Sequence, residues 1–264
     1  MATADRVLAV LSLFTLEEPE WTVDDAMRRL GMTSSSTAYE YFRSLVDAGL
    51  LTATRSGIYT VGPAVIALDR VTRRHDRLVS AATGSLSQVV KDLPPRTTAL
   101  LCRSFRMQVM CVDQFCAAPG DLAISYERGR PMPLYRGAAS KAILAHLAPR
   151  MVKKLWEADT AEIAAAGLGD DWDSFKANLR RMRRAPALVT RSELDPGLVG
   201  ISAAVFDEDG VAGSLGIVSR AEDLPSDETE ILERVGAQAR AVSEILRAQA
   251  AAGNRSDAGA SEAE

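Results

Sequence analysis

Residues 33–43 concentrate side chains whose chemistry suits the edges of DNA bases. The sequence there, TSSSTAYEYFR, combines small hydroxyls, an aromatic ring, a carboxylate and an arginine. On an exposed helix face such groups can form hydrogen bonds to base edges in the major groove. We therefore predict a DNA-contacting set made of Thr33, Ser34, Ser35, Ser36, Thr37, Tyr39, Glu40 and Arg43, with Arg55 and Gly57 from a following turn.

Two short helices are predicted to position this set. Thr22 and Asp25 are typical of a helix start, and Gly31 of a helix end. Thr33 or Ser34 can cap the next helix. Apolar residues of that second helix follow i, i+3, i+4, i+7 and i+8, namely Ala38, Tyr41, Phe42, Leu45 and Val46. The DNA-contacting set is left on the opposite face.

Two further elements complete the predicted N-terminal region. A helix over residues 4–16 would turn Val7, Leu8, Leu11 and Phe14 inward to form a three-helix core. Short strands at Leu50–Thr54 and Ile58–Val61 surround Arg55-Ser56-Gly57, where the glycine suits a hairpin turn. A hairpin beside a recognition helix is a wing.

The charge of this region opposes DNA binding. The first 62 residues carry five basic and eight acidic side chains, a net charge of −3, and the whole chain has a net charge of −4. Phosphate contacts dominate affinity for DNA, so the helix pattern, and not the composition, predicts a DNA reader. A winged helix that binds protein in place of DNA is the alternative.

A connecting helix is predicted from Pro63 to Arg77. Arg70, Arg73, Arg74 and Arg77 share one face of it because they follow helical spacing. This face is either the solvated side of a connector or a surface that contacts phosphate or a second copy of the chain.

The second half predicts a sheet with helices on its faces. Strands are expected at Thr97–Phe105, Met107–Phe115, Asp121–Tyr126, Ala187–Thr190, Gly200–Asp207 and Gly213–Ser219. Helices are expected at 78–92, 139–147, 150–157, 160–166, 172–184 and from Ser226 to about Ala250. The small, polar residues 252–264 are expected to be disordered. The fold class is therefore α+β.

Three segments of this half have features of a small-molecule site. Residues 129–141, GRPMPLYRGAASK, lead into a helix whose small first residues expose N–H groups suited to a carboxylate. Close packing of helix on sheet selects the same small residues, so both interpretations stay open. Residues 195–200 bring a glycine into a strand, which is typical of close approach by a ligand or backbone. Ser219 ends another strand.

These segments resemble the IclR family of bacterial transcription regulators over nearly the whole chain. Ser36-Thr37 stands where the family begins its recognition helix. GRPMPLYRGAASKAILAHL is similar to the family's Gly-x-x-x-Pro-(Leu/Met)-x-x-x-x-x-x-Lys-Ala signature, and SELDPGLVGISAAVFDEDGVAGSLGIVS is similar to its Glu-x-x-x-Gly-Leu…Ala-x-(Val/Ile)-Phe-Asp segment.

The resemblance implies a winged helix-turn-helix (1–62), a linker helix (63–77) and a GAF-like effector-binding domain (78–251) of antiparallel sheet flanked by helices. It also implies homodimers or homotetramers that bind double-stranded operator DNA and switch when a small organic acid binds. By family position the effector pocket falls at Ile124, Met132, Gly137, Ala138, Ala139, Thr190, Leu198, Gly200, Ile217 and Ser219. We add Tyr126, Tyr135, Arg136 and Ser140, which can recognise an aromatic ring or a carboxylate.

Three positions depart from the family pattern. Glu40 replaces a common arginine of the recognition helix, which indicates an unusual operator because a carboxylate accepts from cytosine N4 and repels phosphate. Thr190 replaces an acidic pocket residue, and Ile217 replaces a serine. Both changes predict a less polar pocket and an effector more apolar than a small keto acid, such as an aromatic carboxylate.

Other classes of function have little support in the sequence. Ser140, Lys141 and His146 do not share one helix face as a nucleophile and its base would, so no catalytic residue is predicted. Three cysteines without CxxC spacing and two histidines predict buried hydrophobic cysteines, no metal site and no cofactor. Without a signal peptide or an apolar run of membrane length, the chain is expected in the cytoplasm, with no membrane partner.

Overall fold

The chain forms two compact units, Met1–Asp76 and Arg77–Glu264. The computed structural model describes residues 3–118 and 122–261. In the first unit the elements are α1 (Thr3–Leu11), β1 (Trp21–Thr22), α2 (Val23–Leu30), α3 (Ser35–Asp47), β2 (Leu51–Ala53), β3 (Ile58–Val61) and α4 (Ala64–His75).

The helix ends of the first unit follow the sequence signals. The Thr22 hydroxyl accepts a hydrogen bond from the Asp25 N–H at 3.1 Å, which caps α2. Gly31 ends α2 in the left-handed conformation, with φ +63°. Ser34, and not Thr33, caps α3 by accepting from the Thr37 N–H at 3.4 Å. Both predicted caps are confirmed, with the choice between Thr33 and Ser34 now made.

The core of the first unit contains the predicted α3 stripe. Ala38, Tyr41, Phe42 and Leu45 are buried there. Helix α1 is shorter than predicted, and Leu8 is 60% exposed while Val10 is buried. The chain leaves the helix after Leu11, and the Trp21 indole N–H donates to the Leu13 carbonyl at 3.1 Å.

A wing is present in the form of a three-stranded antiparallel sheet of order β1-β3-β2. The predicted hairpin of β2 and β3 turns at Gly57, with φ +70°. Strand β1 was not predicted, because two residues are too few to show an alternating pattern.

The predicted linker helix is interrupted before Arg77. Helix α4 ends at His75, and Asp76 is extended with φ −68° and ψ 121°. The Arg77 guanidinium donates to Glu208 at 2.8 Å and to the Leu246 carbonyl at 3.0 Å. The predicted four-arginine face is therefore reduced to Arg70, Arg73 and Arg74, since Arg77 belongs to the second unit.

The second unit is a six-stranded antiparallel sheet with helices on both faces. Its elements are α5 (Arg77–Val89), β4 (Thr98–Phe105), β5 (Gln108–Cys116), β6 (Pro131–Pro133), α6 (Ala138–Leu144), α7 (Pro149–Ala165), α8 (Trp172–Arg184), β7 (Leu188–Arg191), β8 (Leu198–Phe206), β9 (Val211–Arg220), a 3-10 turn (Ala221–Asp223) and α9 (Thr229–Ser261). The strand order is β6-β5-β4-β9-β8-β7. The α+β prediction is confirmed.

Alternation along the strands builds two cores. One face of the sheet packs against α5 and α9 through residues such as Leu101, Ile201 and Leu215. The other face packs against α6, α7 and α8 through residues such as Leu100 and Val218. Side chains on neighbouring strand positions therefore belong to different cores.

The edge of the sheet differs from the prediction. Leu122–Tyr126 do not form the expected third strand, and Asp121 lies outside the described residues; Pro131–Pro133 takes the edge position beside β5. The Ser125 N–H donates to the Asp195 carboxylate at 2.8 Å, so this backbone group is used by a side chain and not by a strand ladder.

Three smaller points concern helices and a cysteine. Helix α7 is interrupted at Asp159, which has the non-helical φ −128° and ψ 29°, so the two helices predicted at 150–157 and 160–166 correspond to its two parts. Helix α9 continues past Ala250 to Ser261, so residues 252–261 of the expected disordered tail are helical. Residues 262–264 of the expected disordered tail lie outside the described residues. Cys102 and Cys111 are buried as expected, but Cys116 is half-buried.

Candidate functional site

The predicted DNA-contacting face of α3 is open to solvent. Its side chains lie opposite the buried stripe, and all but half-buried Thr37 are exposed: Thr33, Ser34, Ser35, Ser36, Tyr39, Glu40 and Arg43. Tyr39 is 53% exposed, which is high for an aromatic side chain that could have packed in the core. The helix therefore presents a polar surface with one projecting ring.

Hydroxyl groups at the start of α3 are already organised by one another. The Ser34 Oγ lies 3.1 Å from the Ser36 Oγ and 2.9 Å from the Thr37 Oγ1. Because Ser34 also caps the helix, its side chain is held at the N-terminus of α3. Ser34, Ser36 and Thr37 therefore form a preorganised hydroxyl cluster at the helix start.

Arginines near this face are accompanied by carboxylates. Arg43 Nε lies 3.8 Å from Asp47 Oδ2, and both side chains are well exposed. Arg28 pairs with Asp25 on α2. Exposed pairs of this kind contribute little to stability, so their arginines can exchange a carboxylate for a phosphate at small cost. Arg55 is exposed beside Gly57 at the tip of the hairpin.

Exposed apolar side chains lie beside the arginines on α4. None of the helix is buried in the chain, and Val65, Ile66, Leu68 and Val71 are exposed. Arg73 is paired with Asp69 at 3.1 Å. Both predicted interpretations of α4, a solvated connector and a surface for phosphate or a second copy, stay predictions.

The second unit contains a small cavity between the start of α6 and the sheet. Its volume is about 30 Å³. Eight of the predicted pocket residues line it: Tyr126, Gly137, Ala138, Ala139, Thr190, Leu198, Gly200 and Ile217. Ile217 contributes to the wall, although it also belongs to the core on the opposite face of the sheet.

Protein side chains occupy the N–H groups at the start of α6. The Gly137 N–H donates to Glu193 Oε2 at 3.0 Å, the Ala138 N–H to Thr190 Oγ1 at 3.1 Å and the Ser140 N–H to the Tyr126 hydroxyl at 3.1 Å. These N–H groups are therefore satisfied by protein side chains, and their binding of a ligand carboxylate stays a prediction. They hold β7 and the following turn against α6.

Close packing explains the small residues of this segment. Gly137 has φ +79°, and a Cβ there would lie 2.6 Å from the Tyr126 hydroxyl oxygen and 2.8 Å from Leu194 Cδ1. A Cβ on Gly200 would lie 3.2 Å from Thr190 Oγ1 and 3.5 Å from Ala138 Cβ. Close approach of helix and sheet is therefore observed, and ligand binding by the same segment stays a prediction.

Tyr126 is the buried polar centre of the cavity wall. Its hydroxyl lies 2.7 Å from the Ser140 Oγ and donates to the Arg136 carbonyl at 3.1 Å. Burial raises the pKa of the Tyr126 phenol well above its usual range. The phenol therefore stays neutral and can both donate and accept.

The structure places six predicted pocket residues outside this cavity lining: Ile124, Met132, Tyr135, Arg136, Ser140 and Ser219. Ile124 lines a separate cavity beside β5, and Met132 and Tyr135 pack in the α6–α8 core. Arg136 pairs with Glu162 at 3.7 Å. Ser140 does not line the cavity itself, but its hydroxyl forms a hydrogen bond with the hydroxyl of Tyr126, which does.

Ser219 lies on the other face of the sheet. Its Oγ is 3.0 Å from the Thr97 Oγ1, whereas Gly216 and Val218 line the cavity. A shift of one residue along a strand moves a side chain to the opposite face. The pocket residue predicted by family position, Ser219, is therefore one residue after Val218, whose side chain lies on the cavity's face of the sheet.

Six lining residues were not predicted: Glu193, Leu194, Asp195, Ser202, Gly216 and Val218. Glu193 Oε1 lies 2.5 Å from Lys141 Nζ, and Asp195 accepts from the Ser125 hydroxyl at 2.5 Å. The sequence prediction uses residues 195–200 for the glycine that enters the strand and quotes Glu193 only within the family-like segment SELDPGLVG. The alternating acidic residues Glu193 and Asp195 were the available signal for this wall. The carboxylates of Glu193 and Asp195 thus make the cavity wall more polar than was predicted from Thr190 and Ile217.

Comparison with known families covers both units. Residues 72–244, more than half of the chain, match the model for the bacterial transcriptional regulator IclR C-terminal domain, and residues 3–55 match the IclR helix-turn-helix domain. The chain belongs to the IclR family. This IclR-family protein is a transcription regulator with a DNA-binding helix-turn-helix and an effector-binding C-terminal domain. No curated protein is significantly similar to it.

Solved structures of the same fold cover nearly the whole chain. The IclR transcriptional regulator of Alicyclobacillus acidocaldarius is 20% identical, with a TM-score of 0.74, over 92% of this chain and 98% of its own. An IclR homolog of Microbacterium hydrocarbonoxydans, complexed with 4-hydroxybenzoate, is 20% identical, with a TM-score of 0.71, over 94% of this chain and 100% of its own. HmgR of Pseudomonas aeruginosa is 22% identical, with a TM-score of 0.69, over 93% and 97%.

Two kinds of feature are absent from the described residues. No helix among residues 3–118 and 122–261 has the length and apolarity to span a membrane. Within the same part of the chain, no group of three or more His, Cys, Asp or Glu residues is arranged to hold a metal ion.

Proposed function

We propose that this IclR-family regulator binds operator DNA through α3 and the β2–β3 turn, and that a small organic acid in the second unit controls the binding. The observation that carries the DNA part is the exposed α3 face, where Tyr39 and Arg43 project opposite a fully packed apolar stripe. Recognition helices present three or four side chains to base edges in this way.

The proposed effector is an aromatic carboxylic acid. Leu194, Leu198 and Val218 supply apolar wall, and the Thr190 hydroxyl, which accepts from the Ala138 N–H, can donate a hydrogen bond at its edge. The Microbacterium hydrocarbonoxydans homolog, which has the same fold, is complexed with 4-hydroxybenzoate. A cavity that admits benzene measures about 150 Å³, so a cavity of about 30 Å³ must open to take such an acid.

Pairing of two copies completes the proposal. The first unit has a net negative charge, so one recognition helix alone would bind DNA weakly. A homodimer, or a tetramer built from two, would read the two halves of an inverted repeat. Regulation of a catabolic operon follows from an aromatic acid as signal, since such acids are degraded as carbon sources.

A mobility shift with the DNA upstream of the chain's own gene, at two salt concentrations, tests the DNA part. We expect a shift that weakens at the higher salt, because bound phosphates release counterions. Failure to shift at both salt concentrations, with and without candidate acids, would favour the protein-binding winged helix, which the net charge of −3 and the Arg43–Asp47 pair support.

Calorimetry tests the effector class. We expect heat of binding with 4-hydroxybenzoate or benzoate and none with glyoxylate or pyruvate. The reverse result would contradict the aromatic acid, and turnover of the acid during the titration would show an enzyme.

A further inference from the structure

A larger groove lies directly behind one wall of the effector cavity. It has a volume of about 350 Å³ and an apolar side formed by Leu168, Met182 and Leu188. Thr190 and Glu193 line both the groove and the small cavity. These two side chains are therefore the partition between a space too small for an aromatic ring and one that is large enough.

An ion pair holds the partition in place. Lys141 Nζ lies 2.5 Å from Glu193 Oε1, and Glu193 Oε2 accepts from the Gly137 N–H at 3.0 Å. The Lys141 side chain is 7% exposed, and that of Glu193 is 31% exposed. The lysine is thus fixed inside the protein, whereas the glutamate already reaches solvent.

We propose that Glu193 is a gate which the effector's carboxylate replaces on Lys141, and that this exchange joins the cavity and the groove into one binding chamber. The inference rests on the proposed acid effector and names the residues that select it. Lys141 is the counter-ion of the bound acid, and the Glu193 carboxylate competes with the acid for Lys141.

Charge explains why an acid, and not a neutral ligand, opens the gate. A buried ammonium without a partner is strongly destabilising, so Glu193 leaves Lys141 only when another anion takes its place. The departing carboxylate is rehydrated at the exposed side. Ser192, with φ +51°, and Gly197, with φ +76°, bound the short turn that carries Glu193.

Four single variants of the full-length chain test the gate. Glu193→Gln removes the competing charge, and Lys141→Met removes the counter-ion. Glu157→Gln and Lys153→Met are matched controls, because Lys153 and Glu157 form an exposed pair at 3.7 Å on α7. Calorimetry is performed with 4-hydroxybenzoate and with its neutral analogue 4-hydroxybenzyl alcohol, and circular dichroism confirms folding of each variant.

We expect Glu193→Gln to bind the acid about tenfold more tightly than wild type and the alcohol equally. Lys141→Met should lose the preference for the acid, and both controls should match wild type. If Lys141→Met does not fold, the acid-to-alcohol ratio of Glu193→Gln decides alone. An unchanged ratio in Glu193→Gln, or no binding of either compound by any variant, would overturn the gate.

Operator binding separates this inference from the proposed function. One outcome would contradict the gate but support the proposed function. In it, 4-hydroxybenzoate changes the affinity for DNA, while neither Glu193→Gln nor Lys141→Met changes the ratio of the affinities for the acid and the alcohol. The opposite outcome would support the gate but contradict control of DNA binding by this ligand. In it, the affinity ratio changes as expected in both variants, while the acid leaves the affinity for DNA unchanged.

Discussion

The hydroxyl oxygens of Tyr126 and Ser140 lie 2.7 Å apart, and the Ser140 N–H donates to the same Tyr126 oxygen at 3.1 Å. This pair ties the loop before β6 to the start of α6. We predict that Tyr126→Phe lowers the free energy of unfolding by about 1–3 kcal/mol, because it leaves buried polar groups of Ser140 without a partner. Urea denaturation measures the loss. Tyr39→Phe, which changes an exposed ring, should leave stability unchanged; equal losses would contradict the assigned role of Tyr126.

Gly137 cannot accept a side chain without moving its neighbours. Gly137→Ala places a Cβ 2.6 Å from the Tyr126 oxygen at a φ of +79°. Gly129, with φ +88°, has open space around it and serves as the control for backbone strain alone. We predict that Gly129→Ala costs about 1–2 kcal/mol and that Gly137→Ala costs clearly more in thermal or urea unfolding. Similar costs would show that the contact with Tyr126 relaxes freely.

Gly200 offers a way to fill the cavity without unfolding the chain. A Cβ there would contact Thr190 Oγ1 at 3.2 Å and Ala138 Cβ at 3.5 Å, a tight but tolerable fit. We expect Gly200→Ala to keep its fold and its operator affinity but to bind 4-hydroxybenzoate at least tenfold more weakly, by about 1.4 kcal/mol. Gly84→Ala, in open space on α5, should bind normally. Wild-type affinity in Gly200→Ala would place the acid elsewhere.

His146 gives the second unit a pH-dependent stability. Desolvation, and then the positive charge of Arg183, lower the pKa of His146 below its ordinary 6.5. His146 therefore binds a proton more readily in the unfolded chain than in the folded one. The stability contributed by neutral His146 is present above pH 6.5 and is lost as the pH falls towards the pKa of His146 in the folded chain. We expect the unfolding midpoint of wild type to fall between pH 8 and 5, and His146→Gln to show a smaller fall. His75→Gln, at an exposed site, should follow wild type; equal slopes in all three would contradict the assignment.

Arg43 is expected to contact DNA despite its pair with Asp47. Replacing Arg43 by Ala should weaken operator binding by about 1–3 kcal/mol while leaving stability and acid binding unchanged. Arg6→Ala, on α1 outside the predicted set, removes the same charge from the same unit. Fluorescence anisotropy with labelled upstream DNA compares the two, and equal losses would indicate a general charge effect and a wrong orientation of α3.

Local signals predicted the first unit well because its elements are determined by neighbouring residues. Thr22 and Gly31 mark the ends of α2 through contacts within one turn, and the spacing of Phe42 and Leu45 shows the buried side of α3. Two elements are exceptions. Strand β1 has two residues that become a strand only by pairing with Tyr59 and Ile58, and α1 ends at Leu11 with Leu8 exposed.

The cavity was harder to predict because its walls come from segments that are distant in sequence. Glu193 satisfies Gly137 and Lys141 across more than 50 positions, and no local pattern records such a pairing. Ser219 shows the second difficulty. Family spacing placed it in the pocket, but strand alternation turns it towards Thr97.

We expect an aromatic acid bound in the second unit to change DNA binding by the first. Anisotropy of labelled upstream DNA, titrated with the full-length chain at fixed salt with and without saturating 4-hydroxybenzoate, measures this coupling directly. We expect operator affinity to change by about 5- to 150-fold, and we expect Gly200→Ala to need at least tenfold more acid for the same change. Identical affinities with and without the acid, under conditions where calorimetry shows it bound, would contradict this expectation.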